Sequence, residues 1–296
     1  MLIDYLQLYP VAFITVSILL GLVVGSFLNV VIARLPIMME QDWRARCAQL
    51  CGRACDADPV DGREHRARVP RPFNLMLPRS HCLRCGHFLS IAENIPLVSY
   101  LLLRGRCAGC HAPIPLRYPL VELLGAGMAG IVAWRFGFGI QAGSALILTW
   151  ALIALAFIDW EHWLLPDGIT IPLLWLGLGL NLFSVHATIA DAVIGAICGY
   201  GVFWMVYHVH RLLTGKEGMG HGDFKLLAMS GAWLGWQVLP TLVLIASLIG
   251  VLAGVVLIRW REHDRNDPIP FGPCLAIATW AVLLWKDTLA GWYLGP

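Results

Sequence analysis

Long, nearly uncharged apolar stretches constrain this chain more than any other feature of its sequence. Of its 296 residues, 58% are hydrophobic and only 14% are charged, whereas a typical soluble domain is about 25% charged. Several stretches approach the roughly 20 residues that a helix needs to cross a bilayer. Because backbone polar groups inside a bilayer must be paired within the protein, such stretches fold as helices. We therefore predict an all-α, polytopic membrane protein.

About eight segments are predicted to span the membrane. The first of them is preceded by Asp4 and by no Lys or Arg, and it is longer than the apolar core of a signal peptide. We therefore interpret it as a retained transmembrane helix. The predicted spans are residues 11–33, 118–134, 141–158, 168–185, 189–209, 225–238, 239–258 and 270–289.

One large polar segment, residues 34–117, separates the first two predicted spans. It holds 13 of the 21 Lys and Arg residues, all of them Arg, and seven of the nine Cys. We predict a first transmembrane helix at 1–33, a cytoplasmic domain at 34–117 and a membrane domain at 118–296. Eight spans place the N-terminus outside, and six of the remaining basic residues then lie inside and two outside, as the positive-inside rule predicts.

Two Cys-x-x-Cys pairs in the polar segment predict a metal site. Cys82 and Cys85 form the first pair, and Cys107 and Cys110 form the second, with 21 residues between the pairs. Each pair supplies two thiolates from one turn, and four thiolates make a closed tetrahedral site that favours zinc. The alternatives are two redox pairs or a disulfide, which a reducing cytoplasm disfavours.

A second group of cysteines precedes these pairs. Cys47, Cys51 and Cys55 recur every four residues, so they would share one face of a helix. Small apolar residues on a packed face are the favoured interpretation, and a second metal site is the alternative. The sequence does not assign these three residues a role.

Two aspartates stand at the ends of hydrophobic segments. Asp159 closes the apolar run 142–158, and Asp223 lies in the loop 218–225 just before the next apolar run. A carboxylate beside hydrocarbon is costly to ionise and therefore marks a candidate functional site. Two carboxylates that reach one membrane face from different helices predict an aspartyl hydrolase, in which one activates water and the other donates a proton.

The local sequence favours different protonation states for the two aspartates. Asp159 lies at the C-terminal end of a predicted helix, where the helix dipole opposes a negative charge. Asp223 follows three glycines at a helix start, where free N–H groups stabilise an anion. We expect Asp159 to be the protonated partner and Asp223 the ionised one, within a coupled pair. Asp167, which follows Pro166, is interpreted as a helix N-cap.

Four residues around Asp223 are predicted to support the active-site loop: Gly218, Gly220, Gly222 and Lys225. The glycines remove side chains from the path of an extended substrate, and they equally permit an irregular hinge. Lys225 either helps to keep Asp223 ionised or serves as an anchor at the inner face of the membrane.

Five sequence blocks together resemble those of the type IV prepilin peptidases, which are bifunctional leader peptidase/N-methyltransferases. The blocks run in the family's order and cover nearly the whole chain. They are Gly25–Pro36, the paired Cys-x-x-Cys motifs, Asp159–Asp167, Gly218–Lys225 and Pro270–Pro273.

The resemblance implies a bacterial inner-membrane aspartyl protease that removes the short basic leader from type IV prepilins and type II secretion pseudopilins. It also implies methylation of the newly exposed amino terminus, with S-adenosyl-L-methionine as methyl donor. Carried onto this sequence, it makes Asp159 and Asp223 the catalytic pair. The family's zinc-binding cytoplasmic domain corresponds to Cys82, Cys85, Cys107 and Cys110.

The methyl-transfer site is less well marked in the sequence. No glycine-rich nucleotide loop follows a clear strand within 34–117, so no Rossmann-type cofactor site is predicted. The resemblance suggests Glu93, Asn94, Gly105 and Arg106 as contributors to cofactor binding. Exposed polar residues of a loop are an equally good explanation of these four.

Other classes of function use similar features. A proton-coupled secondary transporter also uses intramembrane carboxylates, but the chain has no internal repeat and carries a large thiol-rich loop. A zinc hydrolase needs an open metal position, which a four-cysteine site lacks. A membrane assembly scaffold with a structural zinc domain is the remaining alternative. The expected partners are prepilin-like substrates and the lipid bilayer, and no nucleic-acid partner is predicted.

Overall fold

A computed structural model of the chain describes residues 2–51, 73–82, 84–90, 93, 96–215, 220–260 and 270–294. In this part of the chain the regular structure is helical, and the strand-like features are two isolated bridges, His81–Phe88 and Arg106–Pro113. The prediction of an all-α protein is confirmed for these residues. The helices are α1 (Leu2–Leu8), α2 (Pro10–Cys51), α3 (Val98–Leu102), α4 (Arg117–Phe136), α5 (Ile140–His162), α6 (Asp167–Asn181), α7 (Ile189–Thr214), α8 (His221–Leu234), α9 (Leu239–Trp260) and α10 (Gly272–Leu294).

Each of the eight predicted spans coincides with one of these helices, namely α2 and α4 to α10. Five helical segments are long and apolar enough to cross a membrane, and Gly272–Lys286 is a shorter apolar helix. Helices α6 and α8 have 15 and 14 residues, fewer than the roughly 20 that a crossing needs. The eight helices are therefore present, but eight membrane crossings are not confirmed. The five segments are Pro10–Leu50, Arg117–Phe136, Ile140–His162, Ile189–Thr214 and Trp236–Val256.

The chain divides into two compact units. One consists of residues 1–21 and 125–296, and the other of residues 22–124. The long helix α2 contributes to both units, because it continues beyond the predicted span through Pro36 to Cys51. We call the first unit the membrane unit and the second the cysteine unit.

Helix α8 is the most enclosed helix of the membrane unit, and it packs against α6, α7 and α10. From Asp223 to Leu234 every residue except Lys225 is buried. Close packing with α7 depends on two glycines that face each other, because a Cβ atom on Gly195 or Gly231 would collide with the backbone of the other helix. Beyond Lys225, α8 is apolar on nearly every side, as expected for a helix that its neighbours surround.

The cysteine unit is organised around the contact between α2 and α4. Gly25 allows this contact, because a Cβ atom at that position would lie 2.7 Å from Cα of Glu122. The amide of Asn29 reinforces it by donating a hydrogen bond of 3.0 Å to the carbonyl of Tyr118. Further along α2, the guanidinium group of Arg34 donates to three backbone carbonyls of the following segment. These carbonyls belong to Asn74, Leu75 and Pro78.

Candidate active site

Asp159 lies in the last turn of α5, and its side chain is buried with 7% of the residue exposed. The helix ends three residues later, at His162, because the next residue, Trp163, adopts the left-handed conformation with φ of 58°. The N–H group of Trp163 donates to the carbonyl of Asp159 at 2.9 Å. Asp159 thus lies in the last helical turn, next to the point where the chain leaves α5.

Asp223 lies in the first turn of α8 and is buried to a similar degree, with 8% exposed. Gly220 caps the helix in an extended conformation, and its carbonyl accepts the N–H group of Asp223 at 3.3 Å. The carboxyl groups of Asp159 and Asp223 interact electrostatically. The two aspartates, which are 64 positions apart in the sequence, therefore belong to one electrostatic site.

A third helix end joins this site. The backbone N–H of Gly272, the first residue of α10, donates a hydrogen bond of 3.0 Å to Oδ2 of Asp159. Both aspartates also act electrostatically on the thiol of Cys274 in the first turn of α10. The sequence analysis used Pro270–Pro273 only as one of the blocks of the family resemblance and did not predict the contact of Gly272. A glycine at the start of a predicted helix was the available signal.

The two described glycines of the active-site loop differ in their surroundings. A Cβ atom on Gly222 would lie 2.8 Å from Cβ of Leu165, so the missing side chain makes room for Leu165. Among the described residues, a Cβ atom on Gly220 would meet only Oδ2 of Asp223, at 4.0 Å, so this position is open on that side. Gly220 is therefore the better candidate for close approach of a substrate backbone. Gly218 lies outside the described residues.

Lys225 makes an ion pair with Asp167. Its Nζ atom lies 2.7 Å from Oδ1 and 2.8 Å from Oδ2 of Asp167, so the contact involves both carboxylate oxygens. Asp167 was interpreted as an N-cap, but the cap residue is Pro166 and Asp167 is the first residue inside α6. That interpretation is wrong because the side chain reaches across to α8 instead of back to its own helix.

The four predicted zinc ligands come together in the cysteine unit. One ligand atom from each of Cys82, Cys85, Cys107 and Cys110 lies within 4.8 Å of the others. The sulfur atoms of Cys82 and Cys110 are 3.8 Å apart, and those of Cys85 and Cys107 are 3.9 Å apart. A tetrahedron with Zn–S bonds of about 2.3 Å has edges of about 3.8 Å. The spacing of the sulfurs fits a tetrahedral metal site.

Both cysteine pairs sit on turns of the same construction. The N–H group of Cys82 donates to the carbonyl of His87, and that of Cys107 donates to Ala112, each at 2.9 Å. The residue after each second cysteine, Gly86 or His111, has positive φ, at 72° and 55°. Hydrogen bonds from the backbone of Cys85 and Arg84 lower the pKa of the Cys82 thiol to about 6, whereas burial and the neighbouring thiols raise the pKa of Cys85 to about 12. One thiol of this pair is thus held as the thiolate that a metal binds.

The suggested cofactor-binding residues are engaged in local structure. The backbone N–H of Ser90, 2.7 Å away, and the ring of His87, 3.1 Å away, contact the carboxyl group of Glu93, and they lower its pKa. Gly105 has φ of 68° and lies against the ring of Tyr100, while Arg106 forms a bridge with Pro113. Asn94 lies outside the described residues.

The cysteines at 47, 51 and 55 are only partly described. Cys47 lies exposed on α2, and Cys51 is the last residue of that helix. Cys55 lies outside the described residues. Their role stays open between packing and a second metal site.

Apolar helices together with two buried, interacting carboxylates define a class, the membrane-embedded aspartyl hydrolases. Comparison with protein families agrees with this class. Residues 19–136 match the bacterial peptidase A24 N-terminal domain, and residues 146–255 match the type IV leader peptidase family. This chain belongs to the type IV leader peptidase family.

Several curated relatives carry the name prepilin leader peptidase/N-methyltransferase. The relative from Pseudomonas aeruginosa is 52% identical over 293 residues, which cover 99% of this chain and 97% of the relative. The relative from Aeromonas hydrophila is 52% identical over 96% of this chain and 95% of its own length. That from Burkholderia pseudomallei strain 1026b is 47% identical over 90% and 84%, respectively. No solved structure matches this chain.

Proposed function

We propose that this protein cleaves the short basic leader from type IV prepilins and type II secretion pseudopilins, and then N-methylates the newly exposed N-terminal residue. The observation that carries the proposal is the pair of buried carboxyl groups, Asp159 and Asp223, which meet from two different helices. Relatives of similar length and high identity share the corresponding name. The substrate class follows from that relationship.

Asp159 and Asp223 are the proposed catalytic residues. The ionised carboxylate accepts a proton from water while the water oxygen attacks the scissile carbonyl carbon. The protonated partner then donates its proton to the leaving amine as the C–N bond breaks. The backbone N–H of Gly272 donates a hydrogen bond to Oδ2 of Asp159. Oδ1 is therefore the oxygen that we propose faces water or substrate. The assignment of the starting proton to Asp159 stays a prediction.

We place the protein in the bacterial inner membrane, with its N-terminus outside and both aspartates at the cytoplasmic face. Eight membrane helices are compatible with this placement if the short helix α8 is enclosed by its longer neighbours, while α6 faces lipid with exposed apolar side chains such as Trp175 and Leu176. The burial of α8 along its length supports that arrangement. The excess of basic residues in the loops assigned to the inside supports the orientation.

Residues 34–117 form the proposed cytoplasmic domain, and residues 118–296 the proposed protease domain. We propose that Cys82, Cys85, Cys107 and Cys110 bind a structural zinc ion, because their sulfur spacing fits the metal. A closed set of four thiolates organises the fold and leaves no position for substrate.

S-adenosyl-L-methionine is the proposed methyl donor, and it supplies an electrophilic methyl group for the new terminal amine. Glu93, Asn94, Gly105 and Arg106 remain the proposed contributors to its binding. Their positions between and beside the two cysteine pairs support this assignment.

The experiment that tests the protease uses purified protein and a prepilin with an intact leader. Asp159→Asn and Asp223→Asn should each lower the cleavage rate by roughly 10²- to 10⁴-fold, because each removes a proton-transfer group. Methylation of a substrate that has already been cleaved should continue in both variants and reports on folding. Asp191→Asn, at the start of α7, is the matched control.

Two results would contradict the proposal, and one would show only that a variant is misfolded. Cleavage that survives in either aspartate variant would reject the assigned pair. Loss of cleavage together with methylation would point to misfolding rather than to chemistry. No cleavage by the wild-type protein would reject the proposed function and revive the transporter and scaffold alternatives.

A further inference from the structure

Helix α6 holds the catalytic helix α8 at both of its ends. The two helices run in the same direction, because the start of α6 contacts the start of α8 and the end of α6 contacts the end of α8. The contact at the start is the ion pair of Asp167 with Lys225, and the contact at the end is made by Asn181. Both contacts lie within the membrane unit.

The contact at the end of the two helices is completely buried. Asn181 has 1% of its surface exposed, and its Nδ2 atom donates to the carbonyls of Ala232 at 2.8 Å and Trp233 at 3.0 Å. Its Oδ1 atom accepts the backbone N–H groups of His186 and Ala187, both at 3.0 Å. The carbonyls of Ala232 and Trp233 lie in the last turn of α8, where helix carbonyls lack partners within the helix. Asn181 therefore anchors this end of α8.

The ion pair at the start of the helices is partly exposed, with 33% of the Lys225 and 54% of the Asp167 side chain accessible. Exposed ion pairs contribute little to stability, so this pair has little value as a stabilising contact. Its geometry has another consequence, because contact with both carboxylate oxygens restricts the orientation of the two groups.

The direction of Lys225 determines the direction of Asp223. An α-helix turns by about 100° per residue, so two residues correspond to a rotation of about 200°. Side chains two positions apart therefore point to nearly opposite faces of the helix. When Lys225 is drawn towards α6, Asp223 is turned to the opposite side of α8. Residues two apart on a helix also do not face each other, which argues against a direct action of Lys225 on Asp223.

We propose that Asp167 and Lys225 are a positioning pair that sets the rotation of α8 about its axis, while Asn181 fixes its far end. Together they hold the carboxyl group of Asp223 towards Asp159. This inference rests on the proposed protease function and adds a role for Asp167, which is not itself a catalytic residue. The pair acts on the rate of the chemical step and not on the binding of the leader.

The test compares Asp167→Asn, Lys225→Gln, the double variant and Lys225→Arg in the full-length protein. Each of the first two should lower kcat for prepilin cleavage about tenfold, as expected for a misplaced reacting group, with KM changed less than twofold. The double variant should be no slower than either single variant, because the second change breaks a contact already lost. Lys225→Arg, which can still contact both oxygens, should keep most of the rate.

A matched control is available on α2, where Glu40 and Arg44 form an exposed ion pair of 2.8 Å. Glu40→Gln removes one member of that pair and should leave kcat unchanged. All variants should methylate a substrate that has already been cleaved at the wild-type rate.

Each alternative gives a different pattern. If Lys225 instead acts directly on Asp223, Asp167→Asn will keep the wild-type kcat and Lys225→Gln will shift the pH profile of kcat, which would overturn the proposal. If Asp167 is a catalytic group, Asp167→Asn will be as slow as Asp223→Asn, and the proposal will again be wrong. If even the wild type cleaves no prepilin, the proposed function fails. The positioning role, which rests on that function, is then rejected with it.

Discussion

The backbone N–H of Gly272 donates a hydrogen bond of 3.0 Å to Oδ2 of Asp159. The contact joins the start of α10 to the end of α5, and it leaves no space for a larger residue at position 272. A Cβ atom there would lie 2.5 Å from Oδ2 and 2.9 Å from Cγ of Asp159. The glycine therefore decides where this carboxyl group can lie.

Gly272→Ala should remove most of the protease activity without unfolding the protein. The added methyl group forces the side chain of Asp159 to move, and a displacement of about 1 Å can cost about 10²-fold in rate. We expect kcat for prepilin cleavage to fall by at least tenfold, while the free energy of unfolding changes by about 1–3 kcal/mol. Single-turnover cleavage and thermal unfolding in detergent would measure the two effects.

Gly143→Ala is the control for this substitution. Gly143 lies on α5, the helix that carries Asp159, and a Cβ atom there would meet nothing within 4 Å. This variant should cleave at the wild-type rate. Equal cleavage by Gly272→Ala and the wild type would mean that Asp159 does not need its observed position.

Much of this architecture follows from patterns that act over short distances. Each predicted apolar span lies in a helix, because the length and hydropathy of a segment indicate a helix without any knowledge of distant contacts. The cysteine spacing predicted the four-sulfur cluster, since two residues between ligands suit one turn. Asp159 and Asp223 were recognisable because a carboxylate beside hydrocarbon is unusual.

The parts that could not be predicted depend on contacts between distant segments. The sequence does not reveal that Lys225 turns towards Asp167 and not towards Asp223. The same holds for Gly222, which serves the packing of Leu165 instead of an open substrate path. The predicted span ended at residue 238, whereas α8 ends at Leu234. Gly235, with φ of 87°, stops the helix there.

Gly231→Ala should destabilise the membrane unit. A Cβ atom on Gly231 would collide with the backbone carbonyl of Gly195, and backbone atoms cannot move aside as a flexible side chain can. We expect a loss of about 1–3 kcal/mol in the free energy of unfolding, together with reduced cleavage because α8 also carries Asp223. Gly201→Ala on α7, where a Cβ atom would meet nothing within 4 Å, should unfold like the wild type.

Cys107→Ser should abolish tight metal binding by the cysteine unit. Cys107 is the buried member of the four, and a hydroxyl group is a poor substitute for a thiolate in a closed zinc site. Metal analysis of the purified variant should show less than about a tenth of the wild-type zinc, and proteolysis should cut residues 73–110 faster. Cys47→Ser should retain its zinc, and full zinc content in Cys107→Ser would reject the four-cysteine site.

The half-buried imidazole of His186 predicts a pH-dependent stability. Burial, and secondarily the positive charge of Lys286, lower the pKa of His186 from 6.5 to about 4. Its Nε2 atom lies 2.8 Å from Oγ of Ser144, and its ring stands 5.7 Å from that of Trp233. Between pH 6.5 and 4 the unfolded chain binds a proton that the folded protein does not. The folded state should therefore lose stability as the pH falls through this window.

The expected loss across that window is roughly 1–3 kcal/mol, which unfolding at pH 7.0, 5.5 and 4.5 would measure. His186→Gln removes the titrating group, so its stability should fall less steeply with acid than that of the wild type, even if it is lower at pH 7. Lys286→Gln should give an intermediate slope, since burial alone then holds the imidazole neutral. Identical slopes for the wild type and His186→Gln would show that this histidine does not control the acid sensitivity of the fold.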